Sequence, residues 1–178
     1  MSKLVHFEVI SWESVRIIGK MININMKDME SGNNPIPGFW DACFSDGTFD
    51  VLEGMREYHH SPDYLDWMGE WNQESGEFVT IVGMIMKPGA PVPEGYVFRD
   101  LEATHMAVGY VEGKENHGED SVYTDSERLT HEAAEEAGWK YDMSAGYSME
   151  IYNEERFVKP QTEGKEFVIL DIAIPVVK

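Results

Sequence analysis

The first half of the chain alternates between strand-like and helix-like hydrophobic patterns. Residues 4–26 are rich in Val and Ile and predict one or two strands. In 36–44, "IPGFWDACF", apolar residues recur near the helical period, and the pattern at 49–55 extends this helix with a second short one. After a predicted turn at "HHSPD", 64–71 alternates as a strand and 77–87 reads as a long strand. This half therefore predicts the order strand, helix, strand, strand.

The second half predicts the same order. Residues 104–113 form a strand, and 120–138 form a helix with Asp120 or Ser121 as its N-cap and a glycine stop. Strands follow at 145–153 and 166–177. The apolar positions that this helix is predicted to bury are Val122, Leu129, Ala133 and Ala137.

This duplication predicts the fold class and the domain organisation. Residues 88–95 hold three of the eight prolines and predict a stiff connector between repeats at about 4–87 and 96–178. A repeat of this size buries too little apolar surface alone, so we expect one domain over 1–178. The predicted fold is α+β: pseudo-twofold tandem β-α-β-β repeats share an antiparallel sheet, with one helix, or a broken helix, per repeat on one face. Concave sites commonly lie where two such repeats meet, so a ligand cleft is expected there.

Charge and composition narrow the classes of partner. The chain has 14 basic and 33 acidic residues, a net charge of -19, which repels phosphate backbones and argues against nucleic acid. The same charge favours a cationic small molecule, although a solvated acidic surface explains it equally. No stretch of about 18 apolar residues predicts a membrane span, and the N-terminus does not resemble a signal peptide, so a cytoplasmic location is expected. The single cysteine, Cys43, excludes an intrachain disulfide and is expected to be a small buried side chain.

The sequence predicts no cofactor and no metal. In "HEAAE", Glu135 stands where a zincin helix would need a second histidine after His131. The pair His59-His60 is expected in a turn. P-loop, dinucleotide-binding and nucleophile-elbow motifs are absent from the sequence.

The predicted strand "AGYSMEIYNEER", 145–156, carries the most informative acid. Alternation places Glu150 and Tyr152 on one face and Met149 and Ile151 on the other. A carboxylate in the middle of a strand must find water, a partner or a ligand. Water or a neighbouring Lys or Arg is the simpler alternative. In an apolar cleft the same group would favour a bound cation, and its raised pKa would let it donate or accept a proton.

Six aromatic residues are candidate walls of such a cleft, because flat rings bind planar or cationic ligands by stacking and cation–π contact. Plain core packing is the alternative for each of them. Trp67 and Trp71 are expected to share a strand face, and Tyr152 is placed to hydrogen-bond to Glu150 or to a ligand. The candidates are Trp40, Trp67, Trp71, Tyr110, Tyr147 and Tyr152.

Taken in order, "IPGFWDACF", "YLDWMGEW", "FVTIVGMIMKPGAPVPEGYVFRDLEATHMAVGYVEG" and "GYSMEIYNEERF" resemble the GyrI-like small-molecule-binding domain. This domain is the effector-binding module of some bacterial multidrug-responsive regulators. The resemblance implies a tandem SHS2 fold, an aromatic-lined cleft and a carboxylate on the penultimate strand, which Glu150 matches by position. No helix-turn-helix segment precedes Leu4, so we expect a stand-alone binding domain without direct control of transcription.

Three functions follow from these observations. The first is a protein that sequesters planar, lipophilic or cationic compounds such as drugs or toxins around Glu150. The second, implied by the resemblance, is a hydrolase that opens strained cyclopropane rings of DNA-alkylating natural products, in which Glu150 orients or deprotonates a water and Tyr152 or Tyr147 protonates the departing carbonyl oxygen. The third is a gyrase-inhibitor-type interaction module that covers a basic protein partner. The sequence leaves the ligand and the oligomeric state open.

Overall fold

A computed structural model of the chain describes residues 1–116, 118 and 120–178. The strands in the described residues are β1 (Lys3–Trp12), β2 (Val15–Asn25), β3 (His59–Asn72), β4 (Glu77–Met86), β5 (Val97–Leu101), β6 (Thr104–Gly113), β7 (Lys140–Tyr141), β8 (Tyr147–Tyr152) and β9 (Val168–Val177). The α-helices are α1 (Met26–Glu30), α2 (Ile36–Ser45), α3 (Thr48–Gly54), α4 (Val122–Glu136) and α5 (Lys159–Thr162). A 3₁₀ turn spans Arg56–Tyr58 and a π-helical turn spans Glu154–Val158.

The chain divides into two compact units: the first unit is Ser14–Glu102, and the second unit combines Met1–Glu13 with Ala103–Lys178. Both contain the predicted order strand, helix, strand, strand, which is β2, α2 with α3, β3, β4 in the first and β6, α4, β8, β9 in the second. The α+β class and the tandem repeat are therefore confirmed. The units and the predicted repeats have different bounds, because β1 pairs with β6 while β5 pairs with β2.

In the first unit the strands follow the order β3-β4-β2-β5, all antiparallel. The helices α2 and α3 pack on one face of these strands, where Phe49 and Leu52 lie against Val82 and Met84. Cys43 is buried in the same cluster, which confirms it as a small core residue, and burial raises the pKa of its thiol. This packing fixes which side chains of β3 point toward the helices.

Strand β3 contains two irregularities that the hydrophobic pattern did not reveal. Near its start, His59 pairs with Met86 and Tyr64 with Met84, so residues 60–63 lie opposite Ile85 alone. Because the strand already begins at His59, the turn predicted at His59-His60 is wrong. Near the other end, Gly69 pairs with Val79 but Asn72 pairs with Glu77, so the strand carries one extra residue there.

This bulge reverses the expected orientation of one tryptophan. Glu70 adopts a left-handed conformation with φ of 58°, and Trp71 stacks on Phe78 with ring centroids 4.1 Å apart. Phe78 shares a strand face with Val82, which packs under the helices, whereas Trp67 pairs with Ile81 on the other face. Trp67 and Trp71 therefore do not share a face, contrary to the simple alternation of the sequence.

In the second unit the strands follow the order β1-β6-β9-β8, again antiparallel, and β7 also pairs with β9. Helix α4 begins at Val122 and Ser121 is its N-cap. The Ser121 hydroxyl accepts a 3.2 Å hydrogen bond from the Tyr123 backbone N–H, which decides between the two predicted N-cap residues. The helix covers the face of the sheet that carries Ala107, Val111 and Ile172.

Small residues bring α4 very close to the sheet. The buried positions of the helix are Val122, Ser126, Thr130 and Ala134. A Cβ added at Gly109 would lie 2.2 Å from the Thr130 Oγ1 atom, so only glycine fits beneath the helix there. Of the predicted positions Val122 is correct, Leu129 and Ala133 are partly buried, and Ala137 is exposed. The buried positions differ from the predicted ones because α4 lies so close to the sheet that Ser126 and Thr130 make the contact.

No helix in the described part of the chain has the length and apolar content to cross a membrane.

Candidate functional site

Glu150 lies on β8 at the position that pairs with Ile172 of β9. Ile172 belongs to the core under α4, so the Glu150 side chain points to the helix-covered face, which the alternation along the strand did not specify. The Tyr152 hydroxyl donates a hydrogen bond of 2.7 Å to Oε2 of Glu150. The predicted pairing of these two side chains is therefore confirmed.

Burial raises the pKa of Glu150 to about 7. The hydrogen bond from Tyr152 acts in the opposite direction, and the negative charge of Glu127 on α4 adds to the increase. Glu150 nevertheless remains partly exposed. The carboxylate is thus desolvated although part of the residue reaches the surface, which indicates a recess rather than an open face. At neutral pH this group exists in both protonation states.

Two further rings belong to this recess. Tyr123 is in the first turn of α4, and its pKa is raised by burial and then by the charges of Glu115 and Glu150. Phe157, in the π-helical turn, lies edge-on to Tyr152, with ring centroids 4.8 Å apart. Its ring is also tilted against that of Tyr123, with a centroid distance of 6.5 Å. We call the group of Glu150, Tyr152, Tyr123 and Phe157 the Glu150 recess, with Glu127 at its margin.

The sequence analysis did not select Tyr123, Phe157 or Glu127. A usable signal exists on α4, because Tyr123, Glu127 and His131 are spaced by four residues and so lie along one side of the helix. His131 contacts Tyr141 at 5.1 Å between ring centroids, and its Nε2 lies 3.7 Å from a Glu127 oxygen. This polar and aromatic stripe is distinct from the stripe of small residues that contacts the sheet.

Tyr110 and Tyr147, two predicted wall residues, lie on the opposite face of the same sheet. Tyr110 pairs with Asp171, and its hydroxyl donates a 2.6 Å hydrogen bond to Glu8. The Arg156 guanidinium lies 5.0 Å from the Tyr110 ring centroid and donates two hydrogen bonds to Asp171, at 3.0 and 2.5 Å. Tyr147 is buried, and alternation along β8 turns it away from Glu150. The structure thus brings only Tyr152 of the predicted tyrosines to Glu150 among the contacts described above.

The three predicted tryptophans belong to the first unit. Trp40 donates a 3.3 Å hydrogen bond from Nε1 to Oδ2 of Asp66 and stacks on Phe49. Trp67 is buried, and Trp71 is 44% exposed on the bulged end of β3. Their predicted role as ligand contacts stays a prediction.

The described residues contain no group of three or more His, Cys, Asp or Glu side chains arranged to hold a metal ion. The Glu150 recess presents a carboxylic acid beside two phenols, Tyr152 and Tyr123. These groups can neutralise a cation, stack on a ring and exchange a proton.

No protein-family model matches the chain, and no curated protein matches it either. Several solved structures do match the chain. SAV2435 bound to tetraphenylphosphonium has a TM-score of 0.66 at 14% identity, with 97% of this chain and 94% of that chain covered. The C-terminal domain of EcmrR has a TM-score of 0.55 at 12% identity, with 97% and 98% covered. The chain has the GyrI-like fold.

A third structure with the same GyrI-like arrangement of elements is the integron cassette protein VCH_CASS2 from the mobile metagenome of Vibrio cholerae. Its TM-score is 0.58 at 10% identity, and 99% of each chain is covered. At these identities the likeness establishes the fold, and the resemblance drawn from the sequence is confirmed at that level. Glu150 lies on β8, the last strand but one in the described residues.

Proposed function

We propose that this chain is a small-molecule-binding protein that sequesters planar or lipophilic organic cations at Glu150. The observation that carries the proposal is the desolvated carboxylate of the partly exposed Glu150, which accepts a 2.7 Å hydrogen bond from Tyr152. A cation bound against the ionised carboxylate would offset the cost of keeping that charge out of water.

The rings around the acid favour a cation that is itself lipophilic. The partly exposed Tyr152 and Tyr123 offer aromatic surface beside the charge, with the buried Phe157 packed behind them. Cation–π contact is strongest where both partners are poorly hydrated. A large organic cation holds water weakly, so it loses little on entering such a recess. The tetraphenylphosphonium seen with SAV2435, whose fold this chain shares, is a ligand of this kind and supports the assignment of ligand class.

Calorimetry with tetraphenylphosphonium at pH 8, where Glu150 is mostly ionised, tests the proposal. We expect Glu150→Gln to weaken binding by about tenfold or more, which corresponds to about 1.4 kcal/mol. Glu154→Gln is the matched control, because Glu154 is exposed just after the same strand, and it is expected to bind as the wild type does. The neutral compound triphenylphosphine oxide should not distinguish Glu150→Gln from wild type. Unchanged binding of the cation by Glu150→Gln would overturn the proposal.

The same geometry supports a second candidate function, the hydrolysis of strained cyclopropane rings. Glu150 titrates near neutral pH and contacts a hydroxyl, so the pair could accept a proton from an attacking water and donate one to a carbonyl oxygen. Tyr152 is the favoured partner, since Tyr147 points to the other face of the sheet. Incubation with excess cyclopropane alkylator, followed by mass spectrometry, separates the two functions. Turnover is supported if wild type forms more than one equivalent of product and Tyr152→Phe does not. A wild-type yield at or below one equivalent leaves binding as the function.

A further inference from the structure

The first unit carries a carboxylate at the position that corresponds to Glu150. Asp66 lies on β3, the strand that follows the helices of its unit, as β8 follows α4 in the second unit. Asp66 pairs with Val82, which packs under α2 and α3, just as Glu150 pairs with Ile172 under α4. Both acids therefore point to the helix-covered face of their own unit.

The two acids also have the same kind of hydrogen-bond partner. Asp66 accepts a hydrogen bond from the Trp40 indole N–H at 3.3 Å, and Glu150 accepts one from the Tyr152 hydroxyl at 2.7 Å. Asp66 is only 1% exposed, so its carboxylate is held in a poorly hydrated environment. Charge there is stabilised by hydrogen-bond donors and by positive groups rather than by bulk water.

A continuous cluster of rings leads from Asp66 to the surface. Trp40 stacks on Phe49 with centroids 5.6 Å apart and planes 16° apart. Phe49 contacts Tyr64 at 4.5 Å and Phe44 at 4.7 Å, and Phe44 is 53% exposed. The cluster therefore offers aromatic surface to solvent at one end and a carboxylate at the other.

We propose that Asp66 is a second cation-binding carboxylate of this chain, with Trp40 and Phe44 as stacking contacts, and that it takes flat aromatic cations that carry N–H donors. The choice of ligand class rests on the function proposed for Glu150. Flatness follows from the rings themselves, because a planar ligand can stack beside Trp40 and the exposed Phe44 ring. Donors follow from the carboxylate, which offers about four acceptor sites and forms its strongest hydrogen bonds with charged N–H groups.

Fluorescence titration with ethidium, a flat cation with amino groups, tests this inference. The proteins are wild type, Asp66→Asn, Glu150→Gln and the double variant, with Asp41→Asn as the control. Asp41 follows Trp40 on the same helix and is exposed. We expect Asp66→Asn to weaken ethidium binding about tenfold in the Glu150→Gln background, where the carboxylate proposed as the first cation site is absent. The neutral analogue phenanthridine, at pH 8, should bind wild type and Asp66→Asn alike.

The outcomes separate this inference from the function proposed above. If the double variant binds ethidium as Glu150→Gln does, while Glu150→Gln still loses tetraphenylphosphonium, the role of Asp66 is overturned and that of Glu150 stands. If Glu150→Gln keeps tetraphenylphosphonium while Asp66→Asn loses ethidium, the reverse holds. Should Asp66→Asn fail to fold, as judged by circular dichroism, the exposed ring of Phe44 replaces it in the test. Weaker ethidium binding by Phe44→Ala supports the cluster as the ligand contact, and unchanged binding overturns it.

Discussion

The Tyr152 hydroxyl donates a 2.7 Å hydrogen bond to Glu150, two residues earlier on the same strand. This bond favours the ionised carboxylate, while burial favours the protonated one, and burial has the larger effect. The balance leaves the pKa of Glu150 at about 7, so changes of pH near neutrality change the charge of the recess.

Binding of a lipophilic cation should therefore depend on pH. Because a proton and the cation compete for Glu150, affinity for tetraphenylphosphonium should rise between pH 6 and pH 8. At pH 6, one unit below a pKa of about 7, only about a tenth of Glu150 is ionised, so affinity should be about tenfold below its high-pH value. Calorimetry at pH 6, 7 and 8 measures this, and enthalpies in two buffers of different ionisation enthalpy measure the released proton. Glu150→Gln should give a flat profile; a flat profile for wild type would contradict the prediction.

Stability should depend on pH in the opposite direction. The pKa of Glu150 lies at about 7 in the fold, above its ordinary value of 4.5, so between these values the folded state holds a proton that the unfolded state releases. The free energy of unfolding therefore falls as pH rises through this range, by up to about 3 kcal/mol. Glu150→Gln lacks this loss and should gain stability over wild type at pH 8 compared with pH 5. Urea unfolding at both pH values measures the difference, with Glu154→Gln as the control. The same ΔΔG at pH 5 and pH 8 would refute the linkage.

The close approach of α4 to β6 predicts a large effect from one methyl group. In Gly109→Ala the new Cβ would lie 2.2 Å from Oγ1 and 3.0 Å from Cβ of Thr130, so the helix must shift. We expect a loss of about 3 kcal/mol in the free energy of unfolding, measured by urea denaturation. Gly38→Ala is the control, because no neighbouring atom lies within 4 Å of the position that its new methyl carbon would take, and it sits inside α2, where alanine should add about 0.5–1 kcal/mol. Adding Thr130→Ala to Gly109→Ala should recover part of the loss; no recovery would place the strain elsewhere.

The N-cap of α4 makes a smaller, local prediction. Ser121→Ala removes the side-chain acceptor of the Tyr123 N–H and should lower the free energy of unfolding by about 1 kcal/mol. Thr124→Ala, an exposed change in the same turn, should stay within about 0.5 kcal/mol of wild type. Thermal and urea unfolding compare the two variants. Equal effects in both would show that the hydroxyl of Ser121 is not the source of the stabilisation.

The sequence was sufficient to predict the order of the major elements and that Glu150 and Tyr152 share one face of their strand. Strands such as β4 and β8 are strongly patterned, and in β8 strict alternation fixes the face of every side chain. The repeat of strand, helix, strand, strand follows from the same patterns. The short elements α1, β5, β7 and α5 carry too few residues for a periodic signal and were not predicted.

The rest of the site depends on contacts between distant segments. The buried stripe of α4 contains Ser126 and Thr130 because Gly109, on another strand, lets the helix come close, and no property of the helix sequence reveals that distance. Tyr123 and Phe157 meet Glu150 and Tyr152 from two further segments. The local hydrophobic period can assign a side chain to one face of its own helix or strand. It does not tell which distant element that face will contact.

The extra residue in β3 shifts the phase of the strand by one position. Arg99 holds this residue, Glu70, with hydrogen bonds of 2.8 and 3.2 Å to its two carboxylate oxygens. Beyond it, every side chain of the hairpin end points to the side opposite to that given by counting from Trp67. A deletion of one residue here would therefore act like a half rotation of the hairpin end and would carry Trp71 across the sheet. In this fold the sheet face on which an aromatic ring lies can thus be changed by chain length alone, without a substitution of the aromatic residue itself.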